Sequence, residues 1–148
     1  MRMTLHTDYA LRMLVYTAIR RDGACTVNDV AEAYGLSRNH LLKVAMTLRD
    51  LGFIETSRGR AGGIRMAVAP ADINVGALVR ATEEDLSVVE CMQPHGGRCV
   101  ISPVCRLKGL FGEALTAYLA VLDRYTLADV IQNGSALGAL LGIGEKAA

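Results

Sequence analysis

The chain has 148 residues, 51% apolar and only 5% aromatic, with no Trp. That length allows one domain, or a small domain with an appendage that completes itself by pairing, and it leaves the core to Leu, Val, Ala and Ile. The net charge of +1 hides an asymmetry: residues 1–66 hold ten Lys/Arg against six Asp/Glu, and residues 67–148 hold six against nine. Affinity for nucleic acid rests on such local basic surface rather than on the total. The opening MRMTLHTDYALRMLVY does not read as a signal peptide, because Asp8 and Arg12 interrupt its apolar stretch and no small-residue cleavage site follows. ALGALLGIG is too short and too Gly-rich to span a bilayer. The expectation is a cytoplasmic protein with reduced thiols and no membrane partner.

In chain order, residues 4–20 carry Leu5, Tyr9, Leu11, Leu14, Val15, Ala18 and Ile19 at helical spacing, with Thr4 or Thr7 as cap. RRDGACT is a turn. Thr26 then opens VNDVAEAY, with Asp29 placed for a capping box and Gly35 as the stop. Ser37 opens a second helix, RNHLLKVAMTLRDLG, with apolar Leu41, Leu42, Val44, Ala45, Leu48 and Leu51, ended by Gly52. Helix, Gly-containing turn, helix is a helix-turn-helix pattern. Phe53 and Ile54 read as one short strand, and Ile64, Met66 and Val68 as a second, around the Arg- and Gly-rich loop RGRAGG: a β-hairpin wing.

Pro70 to Asp72 is a junction, and INVGALVRATEE is another amphipathic helix. From Arg106 a stripe of Leu107, Leu110, Phe111, Ala114, Leu115, Tyr118, Leu119, Leu122 and Tyr125 runs for about five turns. A lone helix with such a stripe must bury it, and the same helix of a second subunit is the expected place, since a symmetric dimer suits a palindromic site. TLADVIQN is a short last helix. The expected fold is mainly α: a winged helix-turn-helix over residues 1–70 with a two-stranded β wing, a cofactor loop and long dimerisation helix over 71–135, and a mobile tail over 136–148.

Ser37, Arg38, Asn39, His40 and Lys43 open the second helix of the pair, where such proteins meet base edges in the major groove. Arg bonds guanine twice and Asn bonds adenine twice, whereas Ser37 and Lys43 suit phosphate. Arg58, Arg60 and Arg65 on the wing could follow the backbone or enter the minor groove. Operator DNA is therefore the expected partner.

Three cysteines, Cys91, Cys99 and Cys105, lie in CMQPHGGRCVISPVC with spacing C-x7-C-x5-C. Reduced thiols so arranged point to a metal or an iron–sulfur cluster rather than to disulfides. A fourth ligand must come from elsewhere: His95, Glu90, Asp8 and Cys25 are candidates, although Cys25 reads better as a small buried hydrophobe. Structural zinc held by the three thiols and His95, or thiols that meet oxidants directly, are the rivals. No Ser/His/Asp set, phosphate loop or carboxylate pair stands out, so an enzyme is not expected.

Taken together, TDYALR at 7–12, GLSRNHLLKV at 35–44, RGRAGGIR at 58–65, the three cysteines and YTLADV at 125–130 resemble the bacterial winged-helix iron–sulfur regulators of the NsrR and IscR branches, above all the NsrR-type nitric-oxide-sensing repressors. The resemblance implies a homodimer with one cluster per subunit on Cys91, Cys99 and Cys105. It implies a 4Fe–4S cluster, with Asp8 of the partner subunit as fourth ligand. It implies DNA binding while the cluster is intact and release when nitric oxide nitrosylates it. The IscR branch would imply a 2Fe–2S cluster and a His three residues after the last cysteine, where this chain has Lys108.

Overall fold

The protein is described here from a computed structural model covering residues 2–20, 23–57, 59 and 62–143. The wing residues Arg58 and Arg60 lie outside the described residues.

Helix α1 (Leu5–Ile19) begins at Thr4, whose hydroxyl accepts the Thr7 N–H, and it buries Thr7, Ala10, Met13, Leu14, Tyr16 and Thr17. That three-and-four spacing places one side of α1 at the centre of the molecule. α2 (Val27–Tyr34) carries the expected capping box between Thr26 and Asp29 and ends at Gly35, whose φ of 63° is left-handed backbone that a side chain resists. α3 (Arg38–Asp50) follows after three residues and buries Leu41, Val44, Ala45 and Leu48 against α1 and α2. Ser37 holds the cap position of α3, but its side chain makes no capping bond.

Strands β1 (Ile54–Ser57) and β2 (Gly63–Met66) pair antiparallel, with Ile54 opposite Met66 and Ser57 opposite Gly63. The strand pair is longer on the β1 side than the apolar pattern indicates, and Val68 falls outside it. Glu55, Thr56 and Ser57 are exposed, so ladder hydrogen bonds rather than burial keep them extended. Ile64 also exchanges two backbone bonds with Cys25, at 3.0 and 2.6 Å, which ties the turn before α2 to the wing.

After a 3-10 turn at Pro70–Asp72, α4 (Val75–Thr82) is capped by Asn74. A second 3-10 turn, Glu90–Met92, leads through turns to α5 (Leu107–Leu122). The end of α5 is clasped to α4. Arg80 donates twice to Asp123, at 2.6 and 2.7 Å, the Asn74 amide donates to the Asp123 carbonyl at 2.7 Å, and Val75 N–H donates to the Tyr125 carbonyl at 2.9 Å. α6 (Leu127–Val130) repeats the capping box with Thr126 and Asp129. α7 (Gly134–Leu140) then returns to α1.

The core runs across residue 70: Ile73 and Leu78 around α4 and Leu127 of α6 join Met13, Leu14, Leu41, Leu48, Ile54 and Ile64 in one cluster. Beyond residue 136, Gly138 is buried and Leu141 and Ile143 pack on that cluster. Residues 144–148 lie outside the described residues.

Candidate nucleic-acid interface and thiol loop

Helix α3 turns one side to the core and the other outward. Ser37, Arg38, Asn39 and Lys43 are all exposed, as expected of residues that meet a duplex. His40 is only half-exposed, and its ring stands edge-on to Tyr9 of α1 with centroids 4.9 Å apart. Its position is set by that packing as much as by solvent. Arg65 is exposed on β2 opposite Glu55. Between α3 and the hairpin runs a groove of about 440 Å³, whose lining includes Asn28, Arg38, Leu42, Met46, Arg49 and Ser57. The sequence pattern places Leu42 and Leu51 with the apolar face of α3, yet they are 37% and 40% exposed. Leu42 lies one turn after Arg38, on the outward line of the helix.

In the thiol loop, all three cysteines are free: Cys91 is buried, Cys105 half-buried and Cys99 exposed. Of the fourth-ligand candidates, Glu90 is engaged within the loop, where its carboxylate accepts the Arg98 N–H at 3.0 Å. His95 is exposed. Asp8 sits in the first turn of α1 and is held by Arg12 through both carboxylate oxygens, at 3.0 and 2.8 Å. The Arg12 guanidinium in turn lies 5.9 Å from the Tyr9 ring centroid and 5.8 Å from that of Tyr34. Cys25 is 1% exposed beside the Thr17 hydroxyl, and burial pushes its thiol pKa up, so it behaves as a core residue. Among the described residues, no three His, Cys, Asp or Glu side chains gather as a metal cage within one chain. The donor set suits an iron–sulfur centre in kind, three unpaired soft thiols in a stretch of turns, but one protomer does not assemble it unaided.

The loop also carries unusual apolar exposure. Val100 and Val104 are 92% and 85% exposed, and Leu107 and Leu110 on α5 are 55% and 56% exposed. No residue of α5 is buried within its own chain.

A helix-turn-helix with an outward polar recognition helix and a β wing makes this a winged-helix DNA-binding protein. Residues 3–133 match the Rrf2 family, described as iron-dependent transcriptional regulators, and the chain belongs to that family. It is 49% identical over 146 residues to the HTH-type transcriptional regulator NsrR of Bacillus subtilis (strain 168), covering 98% of this chain and 100% of the relative. It is 51% identical over 142 residues to NsrR of Halalkalibacterium halodurans, covering 95% and 97%. Among solved structures, IscR of T. potens superposes with a TM-score of 0.71 at 25% identity, over 90% of this chain and 88% of that one. CymR of B. subtilis, the global cysteine regulator, shares the fold with a TM-score of 0.70 at 23% identity, over 90% and 98%. The role is transcriptional regulation, not enzymatic turnover. Among the described residues, no helix is long and apolar enough to cross a membrane.

Proposed function

We propose that this chain is a cytoplasmic, nitric-oxide-responsive repressor that binds operator DNA as a homodimer while an iron–sulfur cluster is intact, and lets go when nitric oxide nitrosylates that cluster. The observation that carries the reading is the thiol loop itself. Three free cysteines sit on turns that run directly into α5, a helix with no residue buried in its own chain. Both features are completed by one event, the packing of α5 and the apolar loop residues against a second copy. The 49% and 51% identities to NsrR regulators favour the nitric-oxide branch.

Cys91, Cys99 and Cys105 would hold the cluster, of 4Fe–4S type, and the partner subunit's Asp8 would supply the fourth ligand. The bound cluster supplies a redox-labile iron centre with one oxygen ligand that a diatomic can displace. The rest belongs to this chain's side chains. Asp8 is paired with Arg12, so its use as a ligand requires that pair to loosen or to be shared. Arg12 rests against Tyr9 and Tyr34, and Tyr9 against His40 at the head of α3. A change at Asp8 therefore reaches the first turn of the recognition helix through three side-chain contacts, and a small tilt there alters the fit of both reading heads. Ser37, Arg38, Asn39 and Lys43, with Arg58, Arg60 and Arg65 of the wing, are the DNA-facing residues, and His40 braces them.

Iron and sulfide quantitation on anaerobically purified protein, with absorption spectra and operator binding before and after nitric oxide, tests this. The expected result is a brown protein that loses both its spectrum and its DNA on exposure. A colourless zinc protein whose DNA binding ignores nitric oxide would overturn it. Asp8→Ala is expected to retain the three-thiolate cofactor but to change its spectrum or its release of DNA; if neither changes, the Asp8 assignment falls.

A further inference from the structure

Two large apolar side chains stand exposed on the outward face of α3. Leu42 is 37% exposed and Met46 56%, whereas Leu41, Val44 and Leu48 on the same helix are 0% exposed. Both line the groove between α3 and the wing, together with Arg38 and Arg49. A helix face meant only for phosphate or water would carry polar residues there, as the outward positions Arg38, Asn39 and Lys43 do.

The duplex itself offers a match. In the major groove the apolar group on a base edge is the C5-methyl of thymine, and small or apolar side chains recognise it by contact. Leu42 and Met46 are four residues apart, so they stand on one line of the helix, about 6 Å apart along its axis. That is close to two base-pair steps of about 3.4 Å. Arg38 and Asn39, one turn earlier on the same face, supply the hydrogen-bonding readout alongside.

We propose that Leu42 and Met46 are specificity-determining residues that read two thymine methyl groups about two base pairs apart in each half-site. The proposal deepens the DNA-binding reading and rests on α3 being the helix that enters the major groove. Methyl contact also accounts for apolar Leu42 and Met46 standing beside Arg38 and Arg49 in the groove lining.

The test removes single methyl groups from the DNA. Cofactor-loaded full-length protein first selects duplexes from a randomised library under anaerobic conditions. Each thymine of the enriched duplex is then replaced, one at a time, by deoxyuridine, and the duplexes are titrated with wild-type protein, Leu42→Ala and Met46→Ala. Two thymines per half-site, about two base pairs apart, are expected to weaken wild-type binding about three- to fivefold each when demethylated, the burial worth of one methyl. Leu42→Ala should become insensitive at one of them and Met46→Ala at the other, with unchanged responses elsewhere. Both side chains are exposed, so the variants fold, which a thermal melt checks. An enriched duplex with a flat deoxyuridine scan, or variants that keep the wild-type scan, overturns the proposal and leaves the DNA-binding reading standing. A library from which nothing is enriched removes both.

Discussion

At Gly76, in the first turn of α4, the missing side chain leaves room for the ion pair that clasps α4 to the end of α5. A Cβ there would collide with the Asp123 carboxylate and come within 3.0 Å of the Arg80 guanidinium. Gly76→Ala is expected to push aside the exposed ends of Asp123 and Arg80 and to shift the urea midpoint only slightly, since Ala also favours the helix. Cysteine reactivity belongs to the same scale. In protein stripped of metal, Cys99 is exposed and Cys25 is 1% exposed with its pKa raised by burial. A maleimide is expected to label Cys99 first and Cys25 only on unfolding, as peptide mass mapping would record. The capping residues Thr26 and Asp29 were legible from the sequence because a capping box lies within four consecutive residues. Leu42 was misplaced because its neighbours Leu41 and Val44 share its chemistry, and one extra apolar residue in a helix does not say on which side it lies.

Among the elements, α2 and α3 with their Gly35 turn follow from local rules, whereas the ends of the strands follow from pairing. Thr26→Ala is expected to cost about 1 kcal/mol by removing one half of the α2 capping box, measurable as a shift in urea midpoint. The clasp and α6 depend on two carboxylates. Arg80 hydrogen bonding holds the Asp123 carboxyl below its ordinary pKa, and the Thr126 backbone N–H does the same for Asp129. A carboxyl with a depressed folded pKa stabilises the fold above its unfolded pKa and loses that contribution as pH falls through the folded value. Below about pH 4, the ordinary range for Asp, the α4–α5 and α6 contacts should therefore loosen before the core does. Hydrogen exchange at the Val75 and Leu127 amides, compared between pH 6 and the lowest pH at which the core melt is intact, would register it.

For the molecule as a whole, α1 is the hub. It touches α3, β2, α4, α6 and α7, so the recognition helix shares one core with α4, to which the end of α5 is clasped. Thr4 extends the link, its N–H donating to Glu83 just past α4 at 2.8 Å. Under the proposed switch, a movement at the end of α5 would thereby be carried into the winged helix as a rigid shift rather than absorbed in a linker. The unburied stripe of α5 gives the matching prediction. Leu110→Glu changes a residue 56% exposed in the protomer, so the monomer should fold normally. With the proposed dimer, sedimentation should nevertheless report monomers for the variant where the parent is paired, and operator affinity should fall by more than tenfold as the two-headed grip is lost.

The sequence by itself determined the helix-turn-helix, the wing and the presence of a thiol-rich loop, because these rest on short-range signals: spacing of three and four, a capping box, a glycine stop and clustered cysteines. It also marked α5 as a helix in need of a partner. Only the tertiary structure decided that α4, α6 and the end of α7 pack on the same core as the winged helix, since the contacts of Leu78, Leu127 and Ile143 with that core join residues far apart in the chain. It alone placed Asp8 against Arg12, His40 against Tyr9, and Leu42 and Met46 on the outward face. Which side of a helix meets solvent is settled by what packs against the other side, and that is a property of the folded whole.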